Sequence, residues 1–111
     1  IKEEINDDSF DSATKIKANS TITDTLNGED NKDICYFNVN NNSDLNIELN
    51  SLTNLGVAWQ LFSEEDLDNY IAYGSQSGDS IVGTANVQPG KYYLLIYKYT
   101  QADGSYTFTI K

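Results

Sequence analysis

A chain of 111 residues is long enough for one buried core and too short for two, and a hydrophobic content of 39% fits a soluble globular domain. Seven lysines against 17 acidic residues give a net charge of −10, which repels nucleic acid and anionic membranes. The chain has no histidine, so Ser-His-Asp and Cys-His catalysis, the usual zinc hydrolase sites and imidazole acid–base chemistry are excluded.

The chain opens Ile1-Lys2-Glu3-Glu4 with no signal-peptide pattern, so either it starts inside a longer polypeptide or a signal has been removed. Residues 1–12 form an acidic arm carrying Glu3, Glu4, Asn6, Asp7, Asp8 and Asp11. The arm fails the EF-hand pattern, with Ser12 where the glycine belongs and Ala18 in place of the bidentate glutamate. Residues 21–26 suit a strand, and the Asn27-Gly28 turn leads to further acids at Glu29, Asp30 and Asp33. Residues 34–39 form an apolar run around Cys35, the only cysteine. It cannot make an internal disulfide, and a buried, inert thiol is expected there.

After an asparagine-rich break at 38–44, Leu45, Ile47 and Leu49 alternate with Asn46, Glu48 and Asn50, and residues 57–62 form another run around Trp59. Residues 63–70, with their Ser63-Glu64-Glu65-Asp66 start, suit either a single capped helical turn or a polar loop. Residues 81–87 lie between turn-rich pieces at 75–80 and at Gln88-Pro89-Gly90, and a turn at 102–105 precedes Tyr106, Phe108 and Ile110, which alternate with threonines. The longest apolar run, 92–97, is far shorter than a membrane span. Seven or eight short strands with such breaks predict an all-β domain, a jelly-roll-like antiparallel sandwich of about eight strands over 13–111 with the N-terminal arm before it.

The strand at 91–99 is the least ordinary. Tyr92, Leu94, Ile96 and Lys98 point to one side and Tyr93, Leu95, Tyr97 and Tyr99 to the other. A half-buried strand should be polar on one side, and this one is not. Either an outer loop lies over the odd-numbered side chains, or they form a ligand platform whose rings and hydroxyls suit a wet contact. Trp59 admits the same two readings, core or platform. Paired carboxylates are numerous enough to arise by chance, and so short a chain leaves little room for a catalytic cleft. The two acidic groups are either solvated or share a calcium ion, which takes six to eight oxygens that neither group supplies alone.

Residues 87–97, Val-Gln-Pro-Gly-Lys-Tyr-Tyr-Leu-Leu-Ile-Tyr, resemble the Pro-Gly-x-Tyr-Tyr segment of bacterial prepeptidase C-terminal domains, and residues 33–39 resemble their Asp-x-x-x-Phe strand. Ile1-Lys2-Glu3, Phe10-Asp11, Ser43-Asp44-Leu45-Asn46-Ile47, Trp59, residues 63–73 and Gly90-Lys91-Tyr92-Tyr93-Leu94 are similar, within that family, to the collagen-binding domains of secreted clostridial collagenases. The resemblance covers nearly the whole chain.

It implies a calcium-stabilised, non-catalytic module, secreted to the extracellular space and working as a monomeric unit of a larger multidomain protease that it anchors to the collagen triple helix. Calcium ligands carry over to Glu3, Asp7, Asp30 and Asp33, with Thr25 and Tyr106 beyond them. The family arm tends to read Glu-x-Glu-x-Asn, whereas Ile5 here follows Glu3 by two. Either the register slips so that Glu4 and Asn6 bind, with Asp8 also available in the arm, or one ligand is lost. Collagen contacts carry over to Trp59, Tyr73, Tyr97 and Tyr99, with Leu49, Leu95 and Lys98 as neighbours.

 

Leu95 belongs with Tyr97 and Tyr99 on the odd-numbered side, while Tyr93, nearer the start of the strand, is expected to be structural. A collagen triple helix is a preformed polyproline-II assembly, so flat rings can pack on proline faces while tyrosine hydroxyls reach exposed carbonyls. The alternative from another class is a carbohydrate-binding module using the same aromatic platform. A third reading is a structural domain in which the tyrosines are covered.

Overall fold

The computed structural model describes residues 10, 13–17, 20–26, 32–51, 56–99 and 104–111, the side chains of Ser20 and Thr25 excepted. Ten strands form among them: β1 Thr14–Lys15, β2 Ser20–Leu26, β3 Lys32–Val39, β4 Ser43–Ser51, β5 Val57–Ser63, β6 Ala72–Tyr73, β7 Ser75–Ser77, β8 Ser80–Val87, β9 Gly90–Lys98 and β10 Gly104–Ile110. They make two five-stranded sheets, ordered β1-β3-β9-β5-β6 and β2-β10-β4-β8-β7. Every pairing is antiparallel except that of β1 with β3. The chain passes from one sheet to the other at almost every connection, and only the β5–β6 and β7–β8 pairs are sequence neighbours within a sheet. This is the sandwich that the alternating patterns predict. The three additional strands, β1, β6 and β7, are two or three residues long, too short to leave a period-two signature.

Alternation decides which side chains meet between the sheets. Phe37, Leu61, Leu94 and Ile96 from the first sheet face Leu26, Ile47, Leu49, Phe108 and Ile110 from the second, each no more than 2% exposed. Cys35 is buried in the same core, and its thiol points at the Leu94 carbonyl. Burying a leucine- or phenylalanine-sized side chain contributes about 1.5–3 kcal/mol, so this layer supplies most of the drive to fold.

Trp59 lies in the core, 1% exposed, with its indole N–H donating to the Ile81 carbonyl at 3.0 Å. Room for the ring comes from Gly83, where an added Cβ would lie 2.9 Å from the indole and 2.6 Å from the Tyr73 carbonyl oxygen. The expectation that Trp59 and Leu49 line a surface is therefore corrected. Both stand at inward positions of their strands, and Leu49 is fully buried.

Two turns have a visible cause. Gly78, at φ 63°, begins the two-residue connection between paired Ser77 and Ser80, a position where side-chain-bearing residues are strained. At the Gln88-Pro89 crossing the Tyr92 hydroxyl donates to the Gln88 carbonyl at 2.7 Å, so the tyrosine two places after Gly90 closes the turn that starts its own strand. No helix forms over 63–70, where a polar loop follows β5. The Asp66 N–H bonds the Ser63 carbonyl at 3.0 Å and the Glu65 N–H bonds the Ser63 hydroxyl at 3.2 Å, forming a tight turn with a bridge between Ser63 and Asp66.

Candidate functional site

The two outer faces differ in chemistry. On the second sheet, side-chain oxygens of Thr21 and Thr109 lie 3.1 Å apart, the Thr23 hydroxyl donates to Thr107 at 3.2 Å, and Ser80 bonds both Glu48 and Asn50. That surface satisfies its own polar groups. The outer face of the first sheet is apolar and aromatic. Cross-strand register sets it out in rows: Tyr36, Tyr93 and Phe62; then Ile34, Leu95, Gln60 and Tyr73; then Lys32, Tyr97 and Ala58. Side chains directly opposite across antiparallel strands have Cβ atoms about 4.5–5.5 Å apart, so each row is continuous.

One half of this face is closed. Phe10 sets its ring edge-on against Phe62 and Tyr93, with centroids 5.3 and 5.2 Å away. Ile34, Phe62 and Tyr93 are buried beneath a cover that includes Phe10, Ala13 and Leu67. The Lys91 ammonium closes the end of the cluster, 4.3 Å from the Tyr36 ring centroid and 5.1 Å from that of Tyr93, a cation–π geometry. Hydrogen bonding to Tyr93 raises the Lys91 pKa above the ordinary lysine value, against a smaller opposing effect of desolvation, and Glu64 acts in the same direction as Tyr93. Tyr93 is structural, as expected.

The other half is open. Leu95 and Tyr97 are partly exposed, Tyr73 is 57% exposed and Tyr99 63%. Edge-to-face contacts run from Phe62 to Tyr70 and on to Tyr73, with centroids 6.5 and 5.6 Å apart, so the exposed tyrosines stand against the closed cluster. The covered reading holds for the beginning of the tyrosine strand, over which Phe10 and Leu67 lie, while none of the described residues covers its end. Lys98 alternates to the side opposite Tyr97 and is half-buried at the end of β9, so it is not part of this face. Sequence reasoning missed Phe62 and Tyr36 as members. The available signal was that Ile34 and Tyr36 in β3 and Phe62 in β5 are apolar or aromatic at positions that point away from the core. At the closed end, where Ser63 pairs with Tyr92, the turn after β5 carries Asp66, whose carboxyl is held below the usual carboxylate range by the Asn69 amide and the Asp68 N–H.

Among the nine candidate calcium ligands, only Asp33 and Tyr106 have described side chains. Glu3, Glu4, Asn6, Asp7, Asp8, Asp30 and the Thr25 side chain lie outside the described residues. Asp33 is the only buried charged residue among those described, and it accepts a hydrogen bond from the Tyr106 hydroxyl. Desolvation, and then the Asp33 charge beside it, push the Tyr106 pKa far above the ordinary tyrosine value. Asp24, paired with Tyr106 across β2 and β10, adds a second nearby carboxylate. Carboxylate and phenol oxygens of this kind are the donor type that hard cations take. No group of three or more Asp, Glu, Cys or His side chains gathers among the described residues.

The fold and this face define a jelly-roll-like β-sandwich with an aromatic surface open over half its extent. The chain belongs to the bacterial pre-peptidase C-terminal domain family, whose model matches residues 31–98. It is 48% identical over 110 residues to collagenase ColT of Clostridium tetani, covering 99% of this chain and 11% of that protein. It is 39% identical over 112 residues to collagenase ColA of Clostridium perfringens, covering 100% of this chain and 10% of that one. The crystal structure of the pre-peptidase C-terminal domain of a Bacillus anthracis collagenase superposes with a TM-score of 0.84 at 39% identity, over 89% of this chain and 94% of that one. The chain thus spans about a tenth of the length of its collagenase relatives, as an accessory domain distinct from their protease region. No helix among the described residues is long and apolar enough to cross a membrane.

Proposed function

We propose that this domain is a non-catalytic collagen-binding module that anchors a secreted metalloprotease to fibrous collagen outside the cell. The observation that carries the reading is the half-open aromatic face, with Tyr97, Leu95 and Tyr73 uncovered beside a rigid cluster around Phe62 and Tyr93. Such a surface offers rings and hydroxyls with their positions already fixed, so little ordering entropy is spent when a preformed triple helix docks. The collagenase relatives supply the biological setting. A sugar polymer would also stack on these rings, so the test must separate the two ligands.

Calcium belongs to the same proposal. Asp33 and Tyr106 would stand at the inner end of the site, where β3 and β10 meet, and the N-terminal arm with Asp30 would supply the remaining oxygens. Bound there, the ion would neutralise clustered carboxylates and tie the arm to the sandwich. The ordering of the arm would in turn hold Phe10 on the closed half of the face.

Co-sedimentation with insoluble collagen tests the binding role. Wild-type protein is expected to pellet with collagen, and Tyr97→Ala to lose about 2 kcal/mol or more of affinity, as for truncation of an interface anchor. Equal binding by the variant would remove Tyr97 from the contact. Retention on chitin or cellulose without binding to collagen would overturn the reading.

A further inference from the structure

Tyr73 stands on a strand of only two residues, whose backbone is well held. The Ile71 N–H donates to the Leu61 carbonyl at 2.7 Å and the Gly74 N–H to the Trp59 carbonyl at 3.1 Å, so the main chain on both sides of the tyrosine is tied to β5. The ring is a separate matter. Its partner across β5 is Gln60, an amide that offers no ring to pack on. Among the described residues, the ring that meets Tyr73 is that of Tyr70, with centroids 5.6 Å apart and planes at 72°. Tyr70 in turn stands at 88° to Phe62, a buried ring that also packs edge-on with Phe10. The loop that delivers Tyr70 is tied down just before it: the Asp66 carboxylate accepts from the Asp68 N–H at 3.1 Å and from the Asn69 side-chain amide at 3.2 Å.

From this series of contacts we infer that Tyr70 is a positioning residue for collagen binding, acting through Tyr73, whose ring it holds in the orientation that a triple helix meets. The inference rests on the collagen-binding reading and adds to it a residue outside the tyrosine strand. A side chain as exposed as Tyr73 has few neighbours to select one of its staggered rotamers. An edge-to-face ring pair is favoured beyond the area it buries, and Tyr70, braced on Phe62, is a partner with a fixed place of its own. A ring already held before docking spares the ordering cost that a free rotamer incurs on association. This contact needs the ring of Tyr70 and not its hydroxyl, which separates it from a direct polar contact with the ligand.

The test measures co-sedimentation isotherms on insoluble collagen for the wild type, Tyr70→Ala, Tyr70→Phe, Tyr73→Ala and the double variant, and records the Tyr73 ring-proton shifts by NMR without collagen. Tyr70 is 49% exposed, so neither substitution at this position empties the core. Tyr70→Ala is expected to weaken binding roughly twofold to tenfold, the range for ordering one side chain on association, and Tyr70→Phe to bind as the wild type does. In the Tyr73→Ala background, Tyr70→Ala should have no further effect. Without collagen, the Tyr73 shifts should move toward those of an unstructured tyrosine in Tyr70→Ala and stay in place in Tyr70→Phe. A double variant whose loss is the product of the two single losses overturns the inference, because Tyr70 would then touch collagen independently of Tyr73. Unchanged affinity in Tyr70→Ala overturns it, as do unmoved Tyr73 shifts in that variant or an equal loss in Tyr70→Phe, and each of these leaves collagen binding by the wild type standing. A wild type that does not pellet with collagen overturns the collagen reading and the role of Tyr70 in binding together.

Discussion

The Tyr106 hydroxyl on β10 donates a hydrogen bond to the Asp33 carboxylate on β3, joining the two sheets through a buried charged acceptor. Tyr106 is itself 1% exposed, so neither partner can turn to bulk water for a substitute. Tyr106→Phe should destabilise the domain by about 1–3 kcal/mol, the cost of removing a hydrogen-bond donor from a buried charged acceptor. Urea unfolding at neutral pH would measure it, and an unchanged midpoint would show that another donor replaces the hydroxyl.

The same pair fixes an alkaline limit. Burial and the adjacent carboxylate raise the folded-state pKa of Tyr106 above its unfolded value, so its contribution is fully present below about pH 10 and declines as pH rises further, because only the unfolded state releases the proton. Stability of the wild type should fall above that pH more steeply than that of Tyr106→Phe. Parallel slopes in denaturation series run across this range would contradict the assignment.

Trp59 and Tyr73 should separate stability from binding. Trp59→Ala removes a buried indole and its bond to Ile81 and is expected to cost about 3–5 kcal/mol of stability. Tyr73→Ala removes a ring that is 57% exposed and should leave thermal unfolding nearly unchanged while weakening collagen binding. Loss of stability in Tyr73→Ala as large as that in Trp59→Ala would mean that the open half is part of the core.

Phe10 offers a test of the closed half. Phe10→Ala strips the edge-on ring from Phe62 and Tyr93 and should increase the quenching of tyrosine fluorescence by a soluble quencher, with a loss of about 1–2 kcal/mol, since the ring is only partly buried. Unchanged quenching would show that the cover is held by Leu67 and Ala13 alone.

Thermal unfolding with calcium and with chelator tests the metal proposal. A ligand that binds only the folded state at a hundredfold excess over its dissociation constant stabilises by about 2.7 kcal/mol. No shift in the transition would remove calcium from the account, while leaving the Asp33–Tyr106 bond in place.

The sandwich was legible in the sequence because alternation is a local signal. Leu45, Ile47 and Leu49 announce an inward face, and the structure buries all three. The same rule applied to residues 57–62 puts Trp59 with Val57 and Leu61, although the resemblance pointed it outward. The division of the tyrosine face was not legible, because it depends on Phe10, about eighty positions earlier in the chain, coming to rest on Tyr93. Periodicity within a strand shows that a side is apolar and carries no information about what comes to cover it. Lys32 and Tyr97 likewise become neighbours only through the register of β3 against β9.

Passage of the chain between the sheets at nearly every connection also bears on how the domain is made. The middle strand of the first sheet is β9, between β3 and β5, and in the second sheet β10 lies between β2 and β4. β2 therefore has no partner, and β3 and β5 only the two-residue strands β1 and β6, until the last quarter of the chain is made, and pairings so distant in sequence form slowly, in milliseconds to seconds. Completion of both sheets therefore waits for β9 and β10 to be made. A chain truncated before residue 90 would retain β3 and β5 as edges without the strand that joins them, and exposed edges of that kind are open to pairing with other chains.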